Sequence, residues 1–197
     1  MYPIGVQAAI PVNRIFSGVA VSFVYLAPLN TITTQLDFIA REAEEKEAEN
    51  AAFKDFVRAL PSDEVDTLVL RLSNEVSPQI DCTTCGNCCR SLMVNITAPE
   101  VKALAAHLQT TEEDVKERYV ECSSSGEIMV LNSIPCHFLK GNSCSIYEHR
   151  FTECREFPSF HQPHFQGRLF ATFMHYGRCP IIYNVMEQMK QELGFFK

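Results

Sequence analysis

The feature that most constrains this chain is a run of four cysteines within eight residues, CTTCGNCC at positions 82–89. A Cys-x2-Cys turn lets two sulfurs face one ion, and Gly86 directly after it permits the positive φ that turns backbone N–H groups toward sulfur. The third cysteine extends the turn to Cys-x2-Cys-x2-Cys, a run that also holds iron–sulfur clusters. The alternative is that these cysteines are buried free thiols in a core, but cysteines in such a polar loop gain little from burial. The block therefore predicts a metal site.

The block alone does not complete that site. Cys88 and Cys89 are adjacent, so we expect their side chains to diverge and one of them to serve a second centre. Further ligands are expected downstream, where four cysteines lie beside prolines or in short polar segments. With the first four they make a predicted ligand set of eight: Cys82, Cys85, Cys88, Cys89, Cys136, Cys144, Cys154 and Cys179.

The other soft or nitrogen donors are left out of that set. Cys122 lies in a loop rich in serine and glycine and is interpreted as a bystander thiol. Three histidines are further candidates, His161 and His164 in an HQPH segment and His175 near Cys179. A surface loop explains the first two equally well, so no histidine enters the predicted ligand set.

The order of these motifs resembles a known family. The CxxCxxCC block is followed by CHFL at 136–139, CSIYEHR at 144–150 and CREFP at 154–158. This succession is similar to the zinc- or iron-chelating CxxCxxCC cysteine-cluster proteins, the YkgJ-like family, over about half the chain, 82–180. The resemblance implies metal chelation through the eight cysteines. Some relatives are linked to flagellin lysine methylation with an iron–sulfur centre.

Ligand counting leaves the metal open between zinc and iron. Eight thiolates can hold two four-coordinate zinc ions, or one four-cysteine cluster and a second site. Three close cysteines with a distant Cys179-Pro180 are similar to a ferredoxin pattern, which slightly favours iron–sulfur. The chain lacks His-Glu-x-x-His, which disfavours a hydrolytic zinc enzyme.

The predicted function is therefore a metal-binding protein holding zinc or iron, with an iron–sulfur-dependent oxidoreductase or a protein-lysine-methylase-like enzyme as the alternative. Nucleic acid is not expected as a partner, because the net charge is −7 and most of the acidic excess falls in residues 36–66. Eight ligand thiols require a reducing compartment, which predicts the cytoplasm. The alternative is export or membrane anchoring through the apolar segment 15–29, the one basis for expecting membrane contact.

Hydrophobic periodicity predicts a small α+β domain. The cysteines predict that metal holds its irregular half together. Residues 1–35 are an apolar leader, residues 36–80 a helical hairpin, and residues 81–197 the cysteine-cluster domain. A capping box at Thr97 and a proline at 180 each predict the start of a helix. Short strands are predicted at 91–96, 127–131, 136–139, 144–147 and 168–173.

Overall fold

The computed structural model describes residues 31–125 and 128–195. The helices are α1 Leu36–Glu45, α2 Glu47–Arg58, α3 Ser62–Val76, α4 Cys82–Cys85, α5 Asn87–Ser91, α6 Ala98–Leu108, α7 Glu112–Tyr119, α8 Thr152–Glu156, α9 Phe165–Met174 and α10 Pro180–Glu192. The strands are β1 Val120–Cys122, β2 Met129–Leu131, β3 Leu139–Lys140 and β4 Ser143–Cys144. They form two antiparallel pairs, β1–β2 and β3–β4. The predicted α+β class is confirmed, and the predicted leader lies mostly outside the described residues.

A first hydrophobic core is built by α1, α2, α3, α9 and α10. On α3, Val65, Val69 and Leu72 recur at helical spacing and are almost fully buried, and Val185 and Met186 of α10 pack into the same cluster. Each such side chain contributes about 1.5–3 kcal/mol through burial. The first core therefore joins the predicted hairpin to the C-terminal helix.

A buried polar network fixes α2 against α10. Lys190 is 3% exposed. Its Nζ lies 2.6 Å from Glu49 Oε1, 2.6 Å from Asn50 Oδ1 and 2.7 Å from Glu187 Oε1. Glu187 also accepts a 2.7 Å hydrogen bond from the Tyr176 hydroxyl. Because the charges are paired and hydrogen-bonded, the network tolerates burial.

A second hydrophobic core lies in the cysteine-bearing half, beneath α6, α7 and the β1–β2 pair. Val101 and Val115 are fully buried there, together with Leu131 and the rings of Phe138 and Phe151. The capping box at the start of α6 is confirmed. This half therefore has an apolar core of its own in addition to its thiols.

The segment predicted as a hairpin contains three helices, α1, α2 and α3. The sequence predicts a single helix from Leu36 to Leu60, whereas the structure has α1 and α2 separated at Lys46. The Lys46 backbone there has φ −96° and ψ 16°, and its Nζ lies 2.6 Å from both Glu42 and Glu187. The helix therefore breaks at Lys46, the residue whose side chain pairs with Glu187 of α10.

The prediction of a strand at 168–173 is wrong. This segment belongs to α9, whose buried residues Phe165, Leu169 and Thr172 are spaced by three and four rather than two. Over the ten residues of α9 the buried positions follow the period of a helix. Six residues alone are too few to distinguish that period from the alternation of a strand.

The prediction of a strand at 91–96 is also wrong. Ser91 ends α5, and the pairing in this segment is a single bridge from Asn95 to Val130. Of the other predicted strands, the one at 127–131 is found as β2 at Met129–Leu131, and its first residue lies outside the described residues. The segments 136–139 and 144–147 contribute only the short strands β3 and β4.

Candidate metal centre

The CTTCGNCC block folds as two short helices that meet at Gly86. The Asp81 carboxylate accepts a 2.8 Å hydrogen bond from the Thr83 backbone N–H and starts α4. That turn places Cys82 and Cys85 three residues apart, which puts their side chains on one face. Gly86 adopts the left-handed conformation, with φ +62°, so its predicted positive φ is confirmed.

The β3–β4 hairpin docks directly on this block. The Arg90 guanidinium donates to the carbonyl oxygens of Cys85 at 3.2 Å and Gly141 at 2.7 Å, and to Asn142 Oδ1 at 2.5 Å. A Cβ on Gly86 would lie 2.7 Å from the Asn142 carbonyl oxygen, so the two backbones approach as closely as glycine allows. Sequence reasoning missed Arg90, although a basic residue next to a cysteine block is a usable signal.

Contacts with the block hold Cys136 and the hairpin that carries Cys144, whereas α6 holds the helix that carries Cys154. The Cys136 N–H donates to the Cys89 carbonyl at 2.8 Å, and Cys144 pairs with Leu139 in the β3–β4 hairpin. Cys154 lies on α8. The first N–H of that helix, on Thr152, donates to Glu100 at 2.6 Å.

The last cysteine reaches the block through the turn between α9 and α10. The Cys179 N–H donates to the His175 carbonyl at 2.9 Å, and Pro180 begins α10. Asn87 Nδ2 donates to the Arg178 carbonyl at 2.7 Å, which holds this turn against α5. Asn87 is a second positioning residue that the sequence did not point to.

Two adjoining cavities contain all eight predicted cysteines. The larger one, about 840 Å³, is an open cleft lined by Cys82, Cys88, Cys89, Cys136, Cys144 and Cys154. The smaller one, about 40 Å³, is lined by Cys82, Cys85, Cys88 and Cys179. Cys82 and Cys88 border both cavities. His175 also borders both.

The two adjacent cysteines do not diverge as expected. The sulfurs of Cys88 and Cys89 lie 4.0 Å apart. Two sulfurs bound to one zinc at about 2.3 Å lie no more than about 4.6 Å apart, so this separation is compatible with a shared ion. The helical backbone of α5 brings the side chains together where a strand would separate them.

Burial raises the pKa of four thiols, those of Cys82, Cys136, Cys154 and Cys179. It raises the pKa of Cys154 and of Cys179 to about 12 each. In the adjacent pair, the hydrogen bond from Cys89 lowers the pKa of Cys88 to about 6 and raises that of Cys89. Metal binding requires thiolates, so it must release protons from the buried cysteines.

Of the donors that the sequence leaves out, Cys122 and the histidines other than His175 line neither cavity. Cys122 is exposed on β1 and lines neither cavity. His161 pairs with Glu156 at 2.5 Å, and His137 contacts Asn132 at 2.6 Å.

Within residues 31–125 and 128–195, no three His, Cys, Asp or Glu side chains converge as a set of ligands around one ion. The thiols share cavities rather than a single point. Their chemistry nevertheless fits zinc or an iron–sulfur cluster, because thiolates are the soft ligands that both prefer. The donor set and its supporting hydrogen bonds define a thiol-rich type of domain.

One comparison with known proteins matches this part of the chain. Residues 81–175 match the family model described as "CxxCxxCC: Putative zinc- or iron-chelating domain", which confirms the resemblance seen in the sequence and supports metal binding. No curated protein and no solved structure matches the chain. In the part of the chain that the structure describes, no helix has both the length and the apolar character needed to cross a membrane.

Proposed function

We propose that the protein binds zinc or iron through two adjoining thiolate centres. One observation carries the proposal: eight of the nine cysteines line two neighbouring cavities, and the ninth, Cys122, is exposed elsewhere. Cysteines kept only as small core residues would be scattered through both hydrophobic cores. Selective clustering is the pattern expected for ligands.

In this proposal the ligands form two groups, assigned from the cavities that they line. Cys85 and Cys179 line only the smaller cavity, and Cys82 joins them there. We assign to the larger cleft the four cysteines that line it alone, Cys89, Cys136, Cys144 and Cys154. Cys88 is the fifth, because its sulfur lies 4.0 Å from that of Cys89. Cys88 stands at the boundary between the groups.

The proposal also covers the identity of the metal and the cellular location of the protein. A centre of four thiolates holds structural zinc, and the same number of cysteines holds an iron–sulfur cluster. The eight reduced thiols favour the cytoplasm, because disulfides would compete with metal in an oxidising compartment.

A second candidate function is an iron–sulfur enzyme, an oxidoreductase or a protein-lysine-methylase-like protein. The observation that favours it is the size of the larger cleft, about 840 Å³, which greatly exceeds the volume of one metal ion. Pockets that bind small molecules have about 300–1,000 Å³. The arginines that line this cleft, Arg150, Arg155 and Arg168, already donate to backbone carbonyls, so they do not identify a substrate class.

The experiment is anaerobic purification followed by a visible spectrum and by metal and sulfide analysis. Absorbance near ~400 nm with acid-labile sulfide supports iron–sulfur, and a colourless zinc protein supports two closed zinc centres. Protein that carries neither metal, and takes up neither after reduction, would contradict the proposal.

A matched pair of variants tests the ligand assignment. We expect Cys179→Ser to lower the bound metal per chain, because one ligand of the smaller centre is lost. Cys122→Ser should leave both metal content and melting temperature unchanged, because this thiol is exposed and lines neither cavity. Equal losses in the two variants would require a different ligand set.

A further inference from the structure

We propose that His175 is the fourth ligand of the smaller centre, bound through Nδ1 alongside Cys82, Cys85 and Cys179. This rests on the proposed metal binding and gives one of the two centres a complete Cys3His set. Neither the cysteine pattern nor the family description includes a histidine.

The first support is an unpartnered buried atom. Among the described residues, His175 Nδ1 is the buried side-chain nitrogen or oxygen that has no hydrogen-bond partner. Buried polar atoms in native proteins are nearly always satisfied, and an exception points to a role such as holding an ion. The ring lines the small cavity together with Cys82, Cys85 and Cys179.

The second support is the spacing along the chain. His175 and Cys179 are four residues apart, and the Cys179 N–H closes a turn on the His175 carbonyl at 2.9 Å. Together with Cys82 and Cys85 they form a Cys-x2-Cys and His-x3-Cys pair. Both spacings are those of structural zinc ligands, for which Cys3His is a standard set.

The third support is how the imidazole is held. The Phe157 ring stands edge-on to the His175 ring, with centroids 5.4 Å apart, and it lines the same small cavity. The bond from Asn87 Nδ2 to the Arg178 carbonyl, 2.7 Å, fixes the turn that carries both His175 and Cys179 against the cysteine block. A ligand ring held in place in this way loses little entropy on binding.

The assignment also accounts for Cys88. With His175 in the smaller centre, four ligands are present there without Cys88. The Cys88 sulfur, 4.0 Å from that of Cys89, is then available to the larger cleft.

The test uses the full chain, labelled with [15N]histidine and reconstituted with 113Cd in place of its own metal. We expect a 113Cd–15N coupling to His175 Nδ1. In His175→Ala this coupling should be lost and 113Cd affinity at one site should fall at least ~10-fold, the loss typical even for residues that only support a ligand. The control His161→Ala removes an exposed histidine that pairs with Glu156 and should change neither.

His175→Cys covers the case in which the alanine variant folds poorly. It should retain the bound metal and move one 113Cd resonance to the higher frequency of an all-thiolate site. The inference is overturned if the parent shows no histidine coupling while 113Cd is bound. If the reduced parent binds no 113Cd at all, the proposed metal binding fails, and the assignment of His175 falls with it.

Discussion

Replacing Gly86 by alanine should damage the site more than the same change at Gly141. Both glycines have positive φ, +62° and +61°. An L-residue in that conformation costs about 1–2 kcal/mol at either position. The surroundings differ, because a Cβ on Gly86 would lie 2.7 Å from the Asn142 carbonyl oxygen, whereas one on Gly141 would contact nothing within 4 Å.

The steric difference adds a second penalty at Gly86 alone. Forcing an extra carbon into a packed position typically costs about 1–3 kcal/mol. Gly86→Ala should therefore lower the free energy of unfolding by about 2–5 kcal/mol, against about 1–2 kcal/mol for Gly141→Ala. Against a domain stability of about 5–15 kcal/mol, the first loss is large.

Urea unfolding of both variants, followed by circular dichroism with the metal state held equal, measures these losses. Metal content is the second readout, since relieving the clash must move the β3–β4 hairpin away from the block that carries Cys85 and Cys88. Equal destabilisation of the two variants, or full metal retention by Gly86→Ala with unchanged stability, would refute the reasoning from close backbone approach.

Three further outcomes follow from the polar contacts. Glu187→Gln should cost about 1.5–3 kcal/mol at pH 7, because it removes one of the two carboxylates that pair with the buried Lys190 ammonium while Glu49 remains; urea unfolding measures the loss. Burial opposes ionisation of Glu187, but hydrogen bonds from Lys190 and two neighbouring side chains outweigh it and lower its pKa below the usual 4.5. The stabilisation is therefore present above pH 4.5 and lost as pH falls below it, so unfolding curves of parent and variant should converge in acid. Arg90→Met removes the donors to the Cys85 and Gly141 carbonyls and should lower both the melting temperature and the bound metal per chain.

Local signals in the sequence predicted the parts of the fold that local physics decides. The capping box at Thr97, the proline that opens α10 and the positive φ of Gly86 are all where the residue types predicted them. In each case the cause lies within a few residues: a side-chain cap, a missing N–H or an absent Cβ.

The errors fall where tertiary packing decides. Residues 168–173 read as a strand over six positions, but burial against the first core makes them part of α9. The sulfurs of Cys88 and Cys89 approach because α5 is helical, which the four-cysteine spacing does not specify. The division of the cysteines between two cavities depends on loops far apart in sequence, so spacing alone left it open.

The eight cysteines that line the cavities lie along the boundary between the two hydrophobic cores. The larger cleft is lined by Ile80 and Ile181 from the first core and by Phe138, Ile146 and Phe151 from the second. Each core is apolar and buried in its own right. Metal bound at this boundary would cross-link the two cores, because the smaller cavity adjoins the first and the cleft reaches the second.

Metal removal should therefore loosen the boundary before it unfolds either core. The free energy that structural zinc contributes, about 10–16 kcal/mol in small domains, is lost where the thiols lie, whereas each core keeps its own buried apolar side chains. After treatment with a strong chelator under reducing conditions, hydrogen exchange followed by mass spectrometry should show loss of protection in residues 82–91 and 136–158. The helices at 47–58 and 98–108, each packed in one core, should keep most of theirs. If metal analysis shows complete removal while exchange in 82–91 stays unchanged, the metal does not join the two cores.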